Sequence, residues 1–202
     1  MIVLSEQLCN MADVSNQEVI VEYERLFNRL NEKLKKENLV LDIHCIGGFV
    51  LEYYGLKATF DIDAFYHSSD KVEQIIREIG EEFHIGTRTE PWLNQSITDI
   101  MSYSAHNDEK IIFSASHLTV SINSLESVLK DKVIAGRSKD EDDIVSILKK
   151  LNKRNLKDLY DILEYSDGTT DSSILLDAYL KAFGENALDE YLQEHPEMEQ
   201  FL

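Results

Sequence analysis

The sequence predicts a mixed α/β (α+β) protein, in which a small mixed β-sheet with flanking helices is followed by a helical C-terminal part. Two observations predict this class. Segments with strand character alternate with helical segments as far as residue 123, and beyond it the chain turns helical. The sequence has two prolines and no Gly/Ser-rich tract, so no flexible linker is indicated. We expect a core with an N-terminal helix over residues 1–123, and a helical region packed on it over residues 124–202.

The core is expected to begin with an amphipathic helix at 17–36, because apolar residues recur there at three- and four-residue steps. Short β-branched or alternating runs then indicate strands. In chain order we expect a strand at 39–46, a short helix at 49–54, a strand at 59–66, a helix capped by Asp70 and extending to Phe83, and one strand or a kinked hairpin at 111–122.

The region after residue 123 is predicted to contain five helices. Asn123 with Glu126, and Ser138 with Glu141, have the spacing of a capping box, in which a cap residue and the third helical residue satisfy each other's backbone groups. The helices are expected at about 124–135, 139–152, 156–165, 173–183 and 186–194.

Composition excludes several classes of protein. The 20 Lys and Arg residues stand against 38 Asp and Glu in 202 residues, a net charge of −18, which opposes broad binding to duplex DNA and to anionic membranes. The 43% hydrophobic content excludes a disordered chain. The sequence shows no apolar run long enough to span a membrane, no signal-peptide pattern and no paired cysteine motif, so we expect a cytoplasmic protein.

The stretch that carries chemistry is Gly47-Gly48 followed by Asp61 and Asp63. Residues two apart on a strand point to the same face, so the two carboxylates can converge on one divalent cation. Mg²⁺ is suited to such a site, with Mn²⁺ as an alternative, because it is often shared between one or two carboxylates and substrate phosphates. The glycines lie at a strand-to-helix turn, where backbone N–H groups can approach a phosphate.

Each half of this pattern has a purely structural explanation. Gly-Gly is common in tight turns, and Asp-x-Asp occurs on the solvent face of edge strands. Their order is more specific, since a helix lies between them and apolar Phe60, Ile62 and Ala64 alternate with the acids. The six histidines lack metal-binding spacing and are expected to be structural or exposed. His67 is the exception, because it follows the Asp-x-Asp strand and a functional role is therefore an alternative for it.

With these residues the chain resembles the minimal nucleotidyltransferases of the DNA polymerase β-like superfamily. The shared run is Gly48, Gly55, Lys57, Thr59, Asp61 and Asp63, with Lys57 where the family has Arg. A second segment is similar to the abortive-infection toxin subgroup, and the two segments together span about residues 39–150. That segment contains Lys132, Ala135, Arg137, Lys139, Asp140, Asp143 and Ile144.

The resemblance implies transfer of a nucleoside monophosphate from a nucleoside triphosphate to an acceptor, with release of pyrophosphate. It makes Asp61 and Asp63 the metal ligands and catalytic carboxylates, and brings Gly47 and Gly48 to the β- and γ-phosphates. Thr59 would steady the catalytic strand and border the nucleotide. The resemblance also makes Lys132 and Arg137 candidate nucleotide contacts, although both have an alternative as surface charges. Asp140 and Asp143 are expected to form ion pairs or to face a helix dipole.

One departure from the family pattern concerns the third carboxylate that active members carry on a later strand. Here the outward positions of that strand are Thr119, Ser121 and Asn123. Acids elsewhere are alternatives for the role: Asp99, Asp108 and Glu126. A non-catalytic nucleotide-binding or protein-interaction module is therefore the alternative function. The acceptor stays open between a tRNA end, a protein and a small molecule such as an aminoglycoside, and the subgroup suggests a toxin with a partner antitoxin.

Overall fold

A computed structural model of the protein describes residues 23–59, 61–87, 89–95, 109–164 and 173–201. It confirms a mixed α/β fold, with a five-stranded mixed sheet and a helical C-terminal part. The chain forms two compact units, Met1–Ser124 and Leu125–Leu202. Their boundary lies one residue from the boundary expected from the sequence.

The first unit contains all five strands of this sheet. The described part of helix α1 spans residues 23–36. The elements that follow are β1 (Leu41–Cys45), α2 (Gly47–Tyr53), β2 (Ile62–Phe65), α3 (Asp70–Phe83), β3 (Leu93–Asn94), β4 (Lys110–Ser114) and β5 (Leu118–Ile122). Of the two alternatives for residues 111–122, the hairpin is correct, because β4 and β5 pair in antiparallel orientation.

The sheet has the strand order β3-β2-β1-β5-β4, which places β1 at its centre. Strand β1 is antiparallel to β2 and parallel to β5, and β2 is parallel to β3. Alternate residues of β1 are buried, whereas Asp42 and His44 lie on the other face. His44 stands directly opposite Phe65 on β2 and Ser121 on β5. One face of the central strands is therefore apolar and the other carries polar side chains.

The core of the first unit is made by the apolar stripes of its helices and the apolar face of its strands. Leu30, Val50 and Ile76, from α1, α2 and α3, are fully buried, and each such side chain contributes about 1.5–3 kcal/mol through its removal from water. The cap of α3 differs from expectation. Ser69, one residue before Asp70, accepts a hydrogen bond from the backbone N–H of Val72 at 3.3 Å. Asp70 is instead the first helical residue, where its negative charge interacts favourably with the positive end of the helix dipole.

The second unit is helical, as predicted. Its elements are α4 (Leu125–Ala135), a 3₁₀ turn (Ser138–Asp140), α5 (Glu141–Leu151), α6 (Leu156–Glu164), α7 (Ser173–Phe183), α8 (Glu185–Glu194) and a second 3₁₀ segment (Pro196–Phe201). Helix α5 packs against α4 and α7. The capping role expected for Ser138 is wrong, because Ser138 begins the 3₁₀ turn and α5 starts three residues later. None of the helices in the described ranges has the length and apolar character needed to cross a membrane.

Candidate functional site

The Asp-x-Asp pair lies at the start of strand β2. Asp63 belongs to the strand and is half-buried, and Asp61 precedes the strand and is exposed. Two side chains orient the Asp61 carboxylate: the Thr59 hydroxyl donates to Oδ1 at 3.2 Å, and the Asn94 amide donates to Oδ2 at 3.2 Å. Asn94 stands opposite Asp63 across the β2–β3 pairing. The predicted alternation is confirmed at Ile62 and Ala64, which are buried, whereas Phe60 lies outside the described residues.

The glycine pair lies close to these acids. The backbone N–H of Ile46 donates to the carbonyl oxygen of Asp63 at 2.9 Å, which ties the entry to helix α2 to strand β2. Gly47 has φ +60°, a left-handed conformation that a side chain disfavours. A Cβ atom on Gly47 would lie 3.9 Å from Oδ2 of Asp63. The Asp63 carboxylate therefore lies beside the bare backbone that begins α2.

Gly48 links the turn to Thr59 and so to Asp61. A Cβ atom on Gly48 would lie 3.2 Å from the Thr59 hydroxyl oxygen, closer than such contacts ordinarily are. Because that hydroxyl is the donor to Asp61, a side chain on Gly48 would disturb the orientation of the carboxylate. The fold thus brings together Gly47, Gly48, Thr59, Asp61 and Asp63, all of which were predicted as site residues.

Asp61 also lines a cavity of about 770 Å³. Its opposite wall is formed by the segment that follows α3, and Asn94 completes the lining on the side of β3. The hydroxyls of Thr87 and Thr89 and the ring of Pro91 give this wall both polar and apolar surface. Such a lining suits a hydroxylated organic ligand, because polar groups fix its orientation and apolar surface removes its rings from water.

The residues present fit a hard divalent cation. Asp61 and Asp63 offer carboxylate oxygens, the ligand type that Mg²⁺ prefers, and Mg²⁺ usually takes its remaining ligands from water and substrate phosphates. Among the described residues, no group of three or more His, Cys, Asp or Glu side chains is placed to hold a metal. The protein would therefore supply two carboxylates and depend on the phosphates of a ligand for the rest.

Thiolate chemistry is disfavoured beside this site. Cys45, the last residue of β1, is fully buried, and burial raises the pKa of its thiol well above the usual range. The thiol is therefore protonated at neutral pH and is a poor nucleophile.

The predicted nucleotide contacts Lys132 and Arg137 belong to the second unit, where they bind acids of that unit. The Lys132 ammonium donates to Asp140 and Asp143, each at 2.8 Å, and it is 8% exposed. Arg137 donates to the other oxygen of Asp140 at 2.6 Å and is exposed. The prediction that Asp140 and Asp143 form ion pairs is confirmed. The alternative of Lys132 as a solvated surface charge is wrong, and its contact with a triphosphate stays a prediction.

The other candidates for the third carboxylate are placed only in part. Asp99 and Asp108 lie outside the described residues. Glu126 is exposed in the first turn of α4, in the second unit. Of the outward positions on β5, Thr119 is half-buried, and Ser121 and Asn123, the latter just past the strand, are buried. His67, the histidine that was set apart because it follows the Asp-x-Asp strand, is exposed.

Sequence reasoning missed a polar cluster on the same face of the sheet, formed by His44, Glu109 and Ser121. The Nδ1 atom of His44 lies 2.8 Å from Oε2 of Glu109 and 2.8 Å from the Ser121 hydroxyl. Alternation along β1 places His44 on the polar face, but Glu109 is 65 residues further along the chain. No local pattern indicates their contact, which depends on the pairing of β1, β5 and β4.

Comparison with protein-family models, with curated proteins and with solved structures finds no match to this chain.

Proposed function

We propose that this protein is a Mg²⁺-dependent nucleotidyltransferase, which transfers a nucleoside monophosphate from a nucleoside triphosphate to an acceptor and releases pyrophosphate. The observation that carries the proposal is the approach of the two glycines to the two acids. Gly47 lies beside the Asp63 carboxylate, and only the missing side chain of Gly48 leaves room for the Thr59 hydroxyl that orients Asp61. Such a pairing offers a cation site and an open backbone for phosphates at one place.

Each residue then has a defined task. Asp61 and Asp63 would hold the cation, and Mn²⁺ has the same preference for oxygen ligands. When bound, the cation supplies charge neutralisation and orientation of the phosphates. Thr59 and Asn94 keep the Asp61 carboxylate in one orientation through their hydrogen bonds. The missing side chains of Gly47 and Gly48 let phosphate oxygens approach backbone N–H groups.

The cavity beside Asp61 gives room for a nucleotide or for the acceptor. The acceptor class is a tRNA end, a protein or a small molecule such as an aminoglycoside, and a cytoplasmic toxin neutralised by an antitoxin is the biological role that the family resemblance suggests. A non-catalytic nucleotide-binding or interaction module is the second candidate. It is favoured by the metal site, which has two carboxylates among the described residues and no third.

A transfer assay tests the proposal. The full chain is incubated with each α-³²P-labelled nucleoside triphosphate and Mg²⁺, and with total RNA, a protein extract or a panel of aminoglycosides as acceptors. We expect label in one acceptor pool. Asp61→Asn and Asp63→Asn should each lower the rate about 100-fold or more, since several kcal/mol of charge stabilisation are lost.

The matched control is Asp42→Asn, which changes an exposed carboxylate on strand β1 and should leave the rate unchanged. If the wild-type chain binds Mg²⁺ and nucleotide but labels no acceptor pool with any of the four nucleotides, the non-catalytic module is the correct function. Equal transfer by the wild type and both Asp variants would refute the assignment of the site.

A further inference from the structure

The cluster of His44, Glu109 and Ser121 has no task in the function proposed above. Its three side chains bond one another: Nδ1 of His44 lies 2.8 Å from Glu109 Oε2 and 2.8 Å from Ser121 Oγ, and the Ser121 hydroxyl donates to the same Glu109 oxygen at 3.1 Å. The side chain of Glu109 is 17% exposed and that of His44 is 31% exposed. The cluster is therefore largely shielded, while the imidazole retains access to solvent.

The hydrogen bonds determine the tautomer of His44. An ionised carboxylate only accepts hydrogen bonds, so the Nδ1 atom that faces Glu109 must carry the proton. The neutral ring then has its lone pair on Nε2. Both Glu109 and Ser121 contact the same nitrogen, which excludes a serine nucleophile activated by the opposite ring nitrogen. This arrangement suits proton uptake by Nε2, with the Glu109 carboxylate stabilising the imidazolium.

The sheet register places this base beside the candidate metal ligands. His44 stands opposite Phe65 across the β1–β2 pairing, and Asp63 is two residues before Phe65 on the same face. Such diagonal positions on neighbouring antiparallel strands are about 7–8 Å apart. The side chains of His44 and Asp63 therefore project from the same face of the sheet on neighbouring strands.

We propose that His44 is the general base of the nucleotidyl transfer, and that Glu109 and Ser121 are the positioning residues that fix its tautomer and orientation. This inference rests on the proposed function. The acceptor O–H proton passes to Nε2 of His44 while the acceptor oxygen forms a bond to the α-phosphorus. The bond from that phosphorus to the bridging oxygen breaks, and pyrophosphate leaves with the electron pair. His44 then releases its proton to solvent.

The first test reads the tautomer and needs no substrate. Two-bond ¹⁵N–¹H correlation spectra of the uniformly labelled full chain distinguish the two neutral forms of each histidine ring, and His44→Gln assigns the signals of His44. We expect the Nδ1–H form for His44 in the wild type. Glu109→Gln should weaken that preference, because an amide can either donate or accept. An Nε2–H form in the wild type would overturn the proposal.

The second test is kinetic and uses the acceptor pool that takes the label. His44→Gln should lower kcat about 100-fold to 10,000-fold, the range for loss of a general base, and should leave the KM for the nucleotide within about threefold, because the Mg²⁺–nucleotide site is intact. His195→Gln is the matched control, since the side chain of His195 is 44% exposed and lies in the second unit; it should retain full activity. Unchanged Mg²⁺-dependent nucleotide binding shows that each variant is folded.

Variants of Glu109 give a readout that a merely structural role would not produce. Within the described residues, Glu109 and Ser121 hold Nδ1 of His44. Glu109→Gln should lower kcat about 10-fold to 100-fold, because an amide does not fix the Nδ1–H form, and it should leave the KM for the nucleotide within about threefold. Glu109→Asp should restore part of kcat.

The outcomes separate this proposal from the one on which it depends. Transfer that requires Asp61 and Asp63 but survives His44→Gln would overturn the role of His44 alone. Absence of transfer by the wild-type chain would overturn both proposals. If His44→Gln does not fold, a Glu109→Gln variant with the kcat of the wild type would overturn the role of the cluster.

Discussion

Replacement of Lys132 by Met would leave two buried carboxylates without their cation. In the wild type the Lys132 ammonium lies 2.8 Å from Asp140 and from Asp143, and the three side chains are 10%, 5% and 10% exposed. Removal of one partner from a buried ion pair costs about 3–5 kcal/mol, because the remaining charge is neither solvated nor neutralised. Arg137 still neutralises part of the Asp140 charge, so we expect the free energy of unfolding to fall by about 3 kcal/mol, the lower end of this range.

Urea denaturation of the full chain, followed by far-ultraviolet circular dichroism, measures this loss. For a slope of about 2–3 kcal/mol per molar urea, the midpoint of the affected transition should fall by about 1–1.5 M. Lys149→Met is the control, because Lys149 is exposed near the end of α5; it should change stability by less than about 0.5 kcal/mol. A loss below about 1 kcal/mol for Lys132→Met would refute the reasoning.

A charge-free variant separates loss of the pair from loss of packing. Lys132→Met combined with Asp140→Asn and Asp143→Asn removes every charge of this network except that of the exposed Arg137. It should be more stable than Lys132→Met alone, because no buried charge is left uncompensated. Equal stability of the two variants would show that Lys132→Met destabilises the protein through lost packing of the aliphatic part of the Lys132 side chain and not through the lost charge.

The ion pair between Lys132 and Asp140 also predicts the direction in which the stability of the protein changes with pH. Burial raises the pKa of the Asp140 carboxyl, but hydrogen bonds from Lys132 and Arg137 and their charges outweigh burial, so the pKa lies below its usual value. A lowered folded-state pKa stabilises the protein above the unfolded-state pKa, about 4 for Asp. This contribution is lost as the pH falls through the lowered value. The part of the stability difference between the wild type and Lys132→Met that comes from Asp140 in the wild type should therefore shrink as the pH falls below about 4.

Two glycine substitutions give further predictions. Gly48→Ala places a Cβ atom 3.2 Å from the Thr59 hydroxyl. We expect the unfolding free energy to change by less than about 1 kcal/mol, since better helix propensity offsets the crowding, and Mg²⁺-dependent nucleotide binding, measured by calorimetry, to weaken several-fold. Unchanged binding would contradict the link from Gly48 through Thr59 to Asp61. Gly80→Ala places a Cβ atom 2.8 Å from the carbonyl oxygen of Ile85 and should lower the unfolding free energy by about 1–3 kcal/mol. A gain in stability in the urea assay would contradict this prediction, because it would show that the backbone at Ile85 moves away without destabilising the fold.

Gly80 shows where sequence reasoning leads to the opposite expectation. By helix propensity alone, Ala at this interior position of α3 would stabilise the helix by about 1 kcal/mol. The structure reverses the sign, because the chain turns back at His84 and the Ile85 N–H donates to the Gly80 carbonyl at 2.9 Å. The close return of the backbone is a tertiary feature that propensity does not contain.

The helices of the second unit could be predicted to within about two residues, because hydrophobic periodicity is local. Helix α7 ends at Phe183 and α8 ends at Glu194, both as predicted. The start of α5 was misplaced, since Ser138 and Asp140 both resemble cap residues and the 3₁₀ turn between them has no distinct pattern. The start of α3 was misplaced for a similar reason, because Ser69 and Asp70 are both good caps.

The sequence by itself determined the fold class, the order of most elements except the short strand β3, and the acids and glycines of the candidate site. These depend on alternation, periodicity and a short motif, which act over a few residues. Only the tertiary structure decided that Lys132 is a buried ion-pair partner and that His44 meets Glu109 and Ser121. Such contacts join residues from separate elements. Their formation depends on strand register and helix packing, which are determined by burial of the whole apolar surface and not by any local pattern.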